Sequence, residues 1–257
     1  MKLWSNGMPH AMPGEDFAPY LTCYPCPGAK TAIIVCPGGA YHNRCSYEGD
    51  DVALWLNTIG ISAYVLEYRV FPNHAPAQPS DVQRAVRLVR QAAAEQGLQH
   101  IGIMGFSAGG HLAATASVHY NKEFYAPTDE ADALSARPDF SVLCYSVLDL
   151  TAPDCHQWTK SAILGDDLSE EHTAFHSPVH QVTEQTPPAF VWHTAEDAAV
   201  PVTQAIEYAK ALTRKKVPVE LHVFPFGGHG SSLAQDNAYV GRWKTLLEDW
   251  LKMMQFL

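Results

Sequence analysis

The chain has 257 residues, 47% of them apolar and 17% charged, the make-up of a globular protein that can bury a sizeable core rather than of a disordered one. Its formal charge of −10 speaks against a nucleic-acid binder, which needs a basic face, and the one basic run, Arg214-Lys215-Lys216, reads as the solvated end of a helix. No apolar stretch nears the roughly 18 residues of a membrane span. The opening MKLWSNGMPHAMPGEDF lacks the apolar core of a signal peptide, so a cytoplasmic protein is expected.

Short apolar runs at 31–36, 62–68, 101–106, 141–146, 188–194 and 219–224 are apolar almost throughout, as parallel strands covered on both faces are. Helical patterns fall between them, at 49–58, 80–96, 108–119, 203–215 and 241–254. Gly60 and Gly97 stop the first two, and Ser80-Asp-Val-Gln83 reads as a capping box opening the second. This alternation predicts right-handed βαβ units and a doubly wound, mostly parallel α/β sheet with helices on both faces. Without repeats or linkers, 1–257 reads as one domain. The segment at about 150–186 breaks the rhythm, being polar and histidine-rich, and reads as a cap-like insertion over the C-terminal edge of the sheet, where ligands bind.

Six cysteines, at 23, 26, 36, 45, 144 and 155, read as reduced thiols. Cys23-Tyr-Pro-Cys26 is a lone CxxC, weak as a zinc signature without a second pair. Thirteen histidines are mostly scattered, and His172, His176 and His180 could share a helix face only if Ser177-Pro178 did not interrupt it. No metal or cofactor is expected.

Gly105-Phe-Ser-Ala-Gly109 matches G-x-S-x-G, with a strand before Ser107 and a helix after it. A serine hydroxyl needs a base, and the base needs an acid to orient it; on this architecture the acid follows a later strand and the histidine the last one. Asp197 ends the run FVWHTAED and His229 ends LHVFPFGGH, which places both on loops that can return to Ser107. Glu196 adjoins Asp197, and Asp149 closes the preceding strand, where some hydrolases keep their acid. His111 lies a turn into the helix and reads as a packing or capping residue. A developing oxyanion also needs backbone donors. Ala108 N–H, at the positive end of the helix, is one, and the turn Pro37-Gly38-Gly39-Ala40 after the first strand is suited to supply more. That loop alone would read as an ordinary glycine turn.

Taken together, CPGGAYHNRCSYEG, ISAYVLEYRV, SDVQRAVRLVR, IGIMGFSAGGHLAA, TPPAFVWHTAEDAAVP and ELHVFPFGGHG resemble the α/β-hydrolase superfamily. Within it they are similar to the bacterial acetyl xylan esterase-like, lipase/esterase branch. The resemblance runs from about Thr31 to Leu251. It implies Ser107 as nucleophile, Asp197 as acid, His229 as base, and Gly39, Ala40 and Ala108 as oxyanion-hole donors. The chain departs from related lipases in carrying Pro37 where they have His and Ala40 where many have Gly; both needed N–H groups survive. After His229 it reads Gly-Ser-Ser-Leu where many relatives have an aromatic residue, which bears on the pocket.

The expected activity is a serine esterase cleaving short acyl esters, above all acetyl groups on sugars or xylo-oligosaccharides, through an acyl-serine. A formamidase or small-peptide hydrolase could use the same triad, and a non-catalytic ligand-binding member of the fold is the alternative outside enzymes. Tyr41, His42 and Trp158 are candidates to line the sugar pocket, although a core role is equally open to Trp158. The partner is then a small-molecule ester, with no nucleic acid and no membrane, and a homo-oligomer is possible.

Overall fold

Seven strands form one sheet in the computed structural model, which describes residues 1–257. In chain order they are β1 (Tyr20–Tyr24), β2 (Thr31–Cys36), β3 (Ser62–Glu67), β4 (His100–Phe106), β5 (Phe140–Cys144), β6 (Ala189–Thr194) and β7 (Val219–Phe224). They lie side by side as β1-β3-β2-β4-β5-β6-β7, and every pair is parallel except β1 with β3. The six strands expected from the sequence are present. The antiparallel edge strand β1 was not anticipated, because YLTCY mixes buried and exposed positions without an apolar run.

The helices are α1 (Asp50–Thr58), α2 (Ala77–Gln96), α3 (Ala108–Val118), α4 (Gln157–Leu164), α5 (Glu170–Phe175), α6 (Thr203–Arg214) and α7 (Trp243–Met253). Side chains alternate across each strand, so one strand feeds two cores. Ala32, Ile34 and Cys36 of β2 join Val82 of α2, Leu112 of α3 and Ala205 of α6. Ile33 and Val35 join Leu56 of α1 and Trp243 and Leu247 of α7 on the other face. This is the doubly wound α/β-hydrolase arrangement. No helix is long and apolar enough to cross a membrane.

The capping box at Ser80 does not form. Helix α2 begins a turn earlier, at Ala77, where the Ser80 hydroxyl donates to the Pro76 carbonyl (2.7 Å) and the Gln83 amide donates to the His119 and Lys122 carbonyls (2.9 and 2.8 Å). Tertiary partners thus take Gln83 from the local motif, while Ser80 bonds back within its own helix turn. The wholly buried Arg69–Asp81 pair (2.7 Å), to whose Asp81 the Trp4 indole also donates (2.9 Å), ties α2 to the turn after β3 and to the N-terminal segment.

The segment at 150–186 holds α4, α5 and a short 3-10 turn at Pro178–His180, with Ala162, Ile163 and Leu164 buried in the first core. Helix α5 stops at Phe175, so His172, His176 and His180 share no helix. His111 of α3 donates from Nε2 to the His176 carbonyl (2.8 Å), and His119 donates from Nε2 to the Phe175 carbonyl (2.8 Å). Burial lowers the pKa of all three: to about 4 for His111, to about 3 for His176, and below the ordinary value for His119. An unfolded chain protonates these rings first, so their contribution to stability is intact above about pH 6.5 and is lost as pH falls towards 4, at up to about 1.4 kcal/mol per unit for each ring. The urea midpoint should therefore fall between pH 7 and 5; a flat midpoint would contradict neutral burial of these rings.

Candidate active site

Ser107 occupies the joint between β4 and α3 with φ 53° and ψ −120°, a left-handed strained backbone for a residue other than glycine. The strain is held by close approach of backbone on either side. A Cβ on Gly105 would meet the Gly109 carbonyl oxygen at 2.1 Å, and one on Gly109 would meet the Cys36 carbonyl oxygen at 2.1 Å. The glycines of G-x-S-x-G are thus steric requirements, and they turn the serine out at the C-terminal edge of the sheet.

Asp197 and His229 arrive from the loops after β6 and β7. His229 Nε2 lies 2.7 Å from Ser107 Oγ, and its Nδ1 lies 2.6 Å from Asp197 Oδ2. With Nδ1–H donating to the carboxylate, Nε2 is left to accept the serine proton. Asp197 is buried, and its Oδ1 accepts the amides of Ala199 and Val200, both at 2.9 Å. Burial alone would raise its pKa; hydrogen bonds from His193, His229 and the Val200 amide outweigh that and hold the carboxyl well below the ordinary carboxylate range. The competing acids are committed elsewhere. Glu196 accepts the Gly227 amide (3.2 Å), and Asp149 accepts the amide and hydroxyl of Thr151 (2.8 and 2.6 Å).

A cavity of about 280 Å³ opens over Ser107 and His229 and is lined by Gly39, Ala40, His42, Glu48, His156 and Trp158 among others. Gly39 has φ +128°, and a Cβ there would lie 1.9 Å from Asn43 Oδ1, so only glycine fits. Ala40 is left-handed too, with φ 56°. Neither the Gly39 nor the Ala40 N–H is taken by a protein acceptor. Ala108 is buried as the first residue of α3, next to Ser107.

Of the three pocket candidates, two reach the cavity. Trp158 is 68% exposed at its rim, which removes it from the core, and His42 lies against it with ring centroids 5.8 Å apart. Tyr41 was misplaced. Its φ of 60° is left-handed, its side chain is fully buried, and its hydroxyl lies 2.8 Å from His111 Nδ1, so it braces α3 from within the core.

Two residues of the site were not foreseen. Glu48 is buried beside the 38–40 turn; its Oε2 accepts the Gly38 amide (2.8 Å) and its Oε1 accepts the Tyr145 hydroxyl (2.7 Å). The Tyr145 oxygen in turn accepts the Ser232 amide (2.8 Å), just past His229. One carboxylate thereby links the Gly39–Ala40 turn to the histidine loop. Its pKa is raised, because burial outweighs the lowering by the Tyr145 hydroxyl, the Gly38 amide and nearby His229. Glu48→Gln leaves one partner facing the wrong group, so a loss of about 1–3 kcal/mol in urea unfolding is expected, with a lower kcat. Unchanged stability and turnover would remove this link from the account. His156 caps α4, accepting the Thr159 amide at Nδ1 (3.3 Å). Burial, then His229 and His42, lower its pKa, so it lines the cavity as a neutral ring whose Nε2–H is free to donate. The sequence carried only a faint signal for either residue: an acid in SYEG after the glycine turn, and one histidine among many in the insertion.

The BD-FAE family model matches residues 26–212. The chain belongs to the BD-FAE family. In line with that membership, it is 41% identical, with a TM-score of 0.95, to an acetyl ester-xyloside bifunctional hydrolase from Caldicellulosiruptor lactoaceticus, the match covering 100% of this chain and 96% of that one. It is also 36% identical over 220 residues to endo-1,4-beta-xylanase B of Butyrivibrio fibrisolvens, covering 82% of this chain and 34% of that protein. To an acetylxylan esterase of Xylanibacter ruminicola it is 30% identical over 246 residues, covering 93% of this chain and 49% of that protein. The BD-FAE chain thus spans between a third and a half of these two curated relatives. Its resemblance to the acetyl xylan esterase-like branch of the α/β-hydrolases holds.

Proposed function

We propose that this protein is a serine esterase that removes short acyl groups, chiefly acetyl, from sugars or xylo-oligosaccharides. The observation that carries the reading is the continuous chain from Asp197 through His229 to Ser107, at 2.6 and 2.7 Å, opening on a cavity edged by the unpaired amides of Gly39 and Ala40. Ser107 Oγ attacks the ester carbonyl while His229 takes its proton, and Asp197 stabilises the imidazolium. The amides of Gly39, Ala40 and Ala108 stabilise the oxyanion. His229 then protonates the departing sugar oxygen and afterwards activates the water that releases acetate from Ser107. Relatives named for acetyl ester and xylan chemistry support the choice of substrate class.

Acyl length is set by the cavity walls. Each methylene of a longer chain needs apolar surface to gain about 0.8 kcal/mol, and Tyr47 and Trp158 are the only large apolar side chains of this cavity, set among His42, Asn43, Glu48, His156 and His229. With p-nitrophenyl esters, kcat/KM should be highest for two to four carbons and fall sharply at octanoate. A rise from acetate through octanoate would mark a lipase-like enzyme and overturn the carbohydrate assignment.

A further inference from the structure

A second cleft, of about 400 Å³, lies between the N-terminal segment 12–17 and the turn 70–73. A row of rings joins it to the cavity over Ser107. From Trp158 at the cavity rim the row passes to His42 at 5.8 Å and on to Phe71 at 5.1 Å, and Phe71 lines the second cleft. Trp158 is 68% exposed, Phe71 is 51% exposed, and His42 is exposed with them, so three rings that could have been buried together face solvent in sequence. Past Phe71 the wall continues with Phe17, over which the Arg44 guanidinium sits at 4.5 Å. Arg44 is itself fixed by Glu67 (2.5 Å) and by the Tyr68 carbonyl (2.9 Å). The polar part of the wall, beside Arg44, is Glu15, Asp16 and Asn73; the Asn73 amide donates to Glu15 Oε1 (2.7 Å), and its buried Oδ1 has no hydrogen-bond partner.

Ring faces alternating with a carboxylate, an amide and a guanidinium suit a ligand that is apolar on its faces and polar around its rim. A pyranose has that form: its C–H face lies on an aromatic ring and its hydroxyls meet the polar groups at the edge. An acyl or lipid chain would instead leave Glu15, Arg44 and Asn73 desolvated against hydrocarbon. We propose that this cleft binds the non-reacting pyranose units of an acetylated oligosaccharide whose ester lies at Ser107, with Phe71 and Phe17 as stacking platforms. The proposal rests on the acetyl-sugar function above. Binding energy from the remote sugars then raises kcat/KM as the chain lengthens.

The test compares kcat/KM for singly acetylated xylose, xylobiose and xylotetraose with that for p-nitrophenyl acetate, in the wild type and in Phe71→Ala and Phe17→Ala with matched thermal unfolding. The expected result is a rise of about ten-fold or more from the monosaccharide to the tetraose in the wild type. Each substitution should lower the tetraose value at least about five-fold more than the p-nitrophenyl acetate value. If acetylxylose is deacetylated but length brings no gain, or the gain survives both substitutions, the cleft has another role and the acetyl-sugar function stands. If p-nitrophenyl acetate is cleaved and no acetylated sugar is, the acetyl-sugar function itself falls, and the cleft proposal with it.

Discussion

Replacing Ser107 with alanine is expected to abolish ester hydrolysis while the fold and its thermal unfolding remain close to those of the wild type. The side chain removed is one hydroxyl, and its partner His229 Nε2, at 2.7 Å, faces a cavity that water can enter, so no buried polar group is stranded. What disappears is the proposed nucleophile. The oxyanion amides and substrate binding alone leave a small residue of catalysis, so the loss in kcat should be on the order of 10⁴-fold or more. Steady-state kinetics on p-nitrophenyl acetate check this, and retention of more than a few per cent of wild-type turnover would remove Ser107 from its role. The left-handed φ of 53° is not relieved by alanine, so any gain in stability must come from elsewhere.

The second large effect separates two aspartates. Asp197→Asn keeps the shape of the loop, but an amide can donate where the carboxylate only accepted, and His229 is no longer held with its proton on Nδ1. The wrong tautomer then faces Ser107, and turnover should drop by about 10³–10⁴-fold. Asp149→Asn should change turnover by less than a few-fold, because Asp149 caps the turn at Thr151 and does not meet His229. The reverse ranking would move the acid to the end of β5. The wild-type Asp197 carboxyl stays ionised through mild acid, so its contribution to stability is present above the ordinary carboxylate range and is lost only as pH falls below it.

The meeting of Ser107, His229 and Asp197 was legible because each is announced by local chemistry. Ser107 has glycines that backbone contact demands, and Asp197 and His229 stand where apolar strands end. The turn at 38–40 was legible for the same reason, since Gly39 sits where no Cβ fits. What the sequence hid depends on contacts between distant segments. Tyr41 follows the glycine turn directly and looked like a pocket residue, yet a left-handed backbone carries it inward to His111, 70 residues away. Glu48 gains its place only through Tyr145, 97 residues on. Gln83 had a local partner in Ser80 and was drawn instead to the end of α3, 36 residues away. The N-terminal segment 12–17 gave no periodic signal, and its part as a wall of the second cleft emerges only when it packs beside Phe71.

The central claim is that acyl transfer passes through Ser107, and trapping the acyl group tests it most directly. Wild-type protein mixed with p-nitrophenyl acetate, acid-quenched during turnover and mapped by peptide mass spectrometry should carry one acetyl group on Ser107, which the Ser107→Ala variant lacks. An acetyl group on a different residue that turns over at the rate of product formation, with Ser107 unmodified, would contradict it.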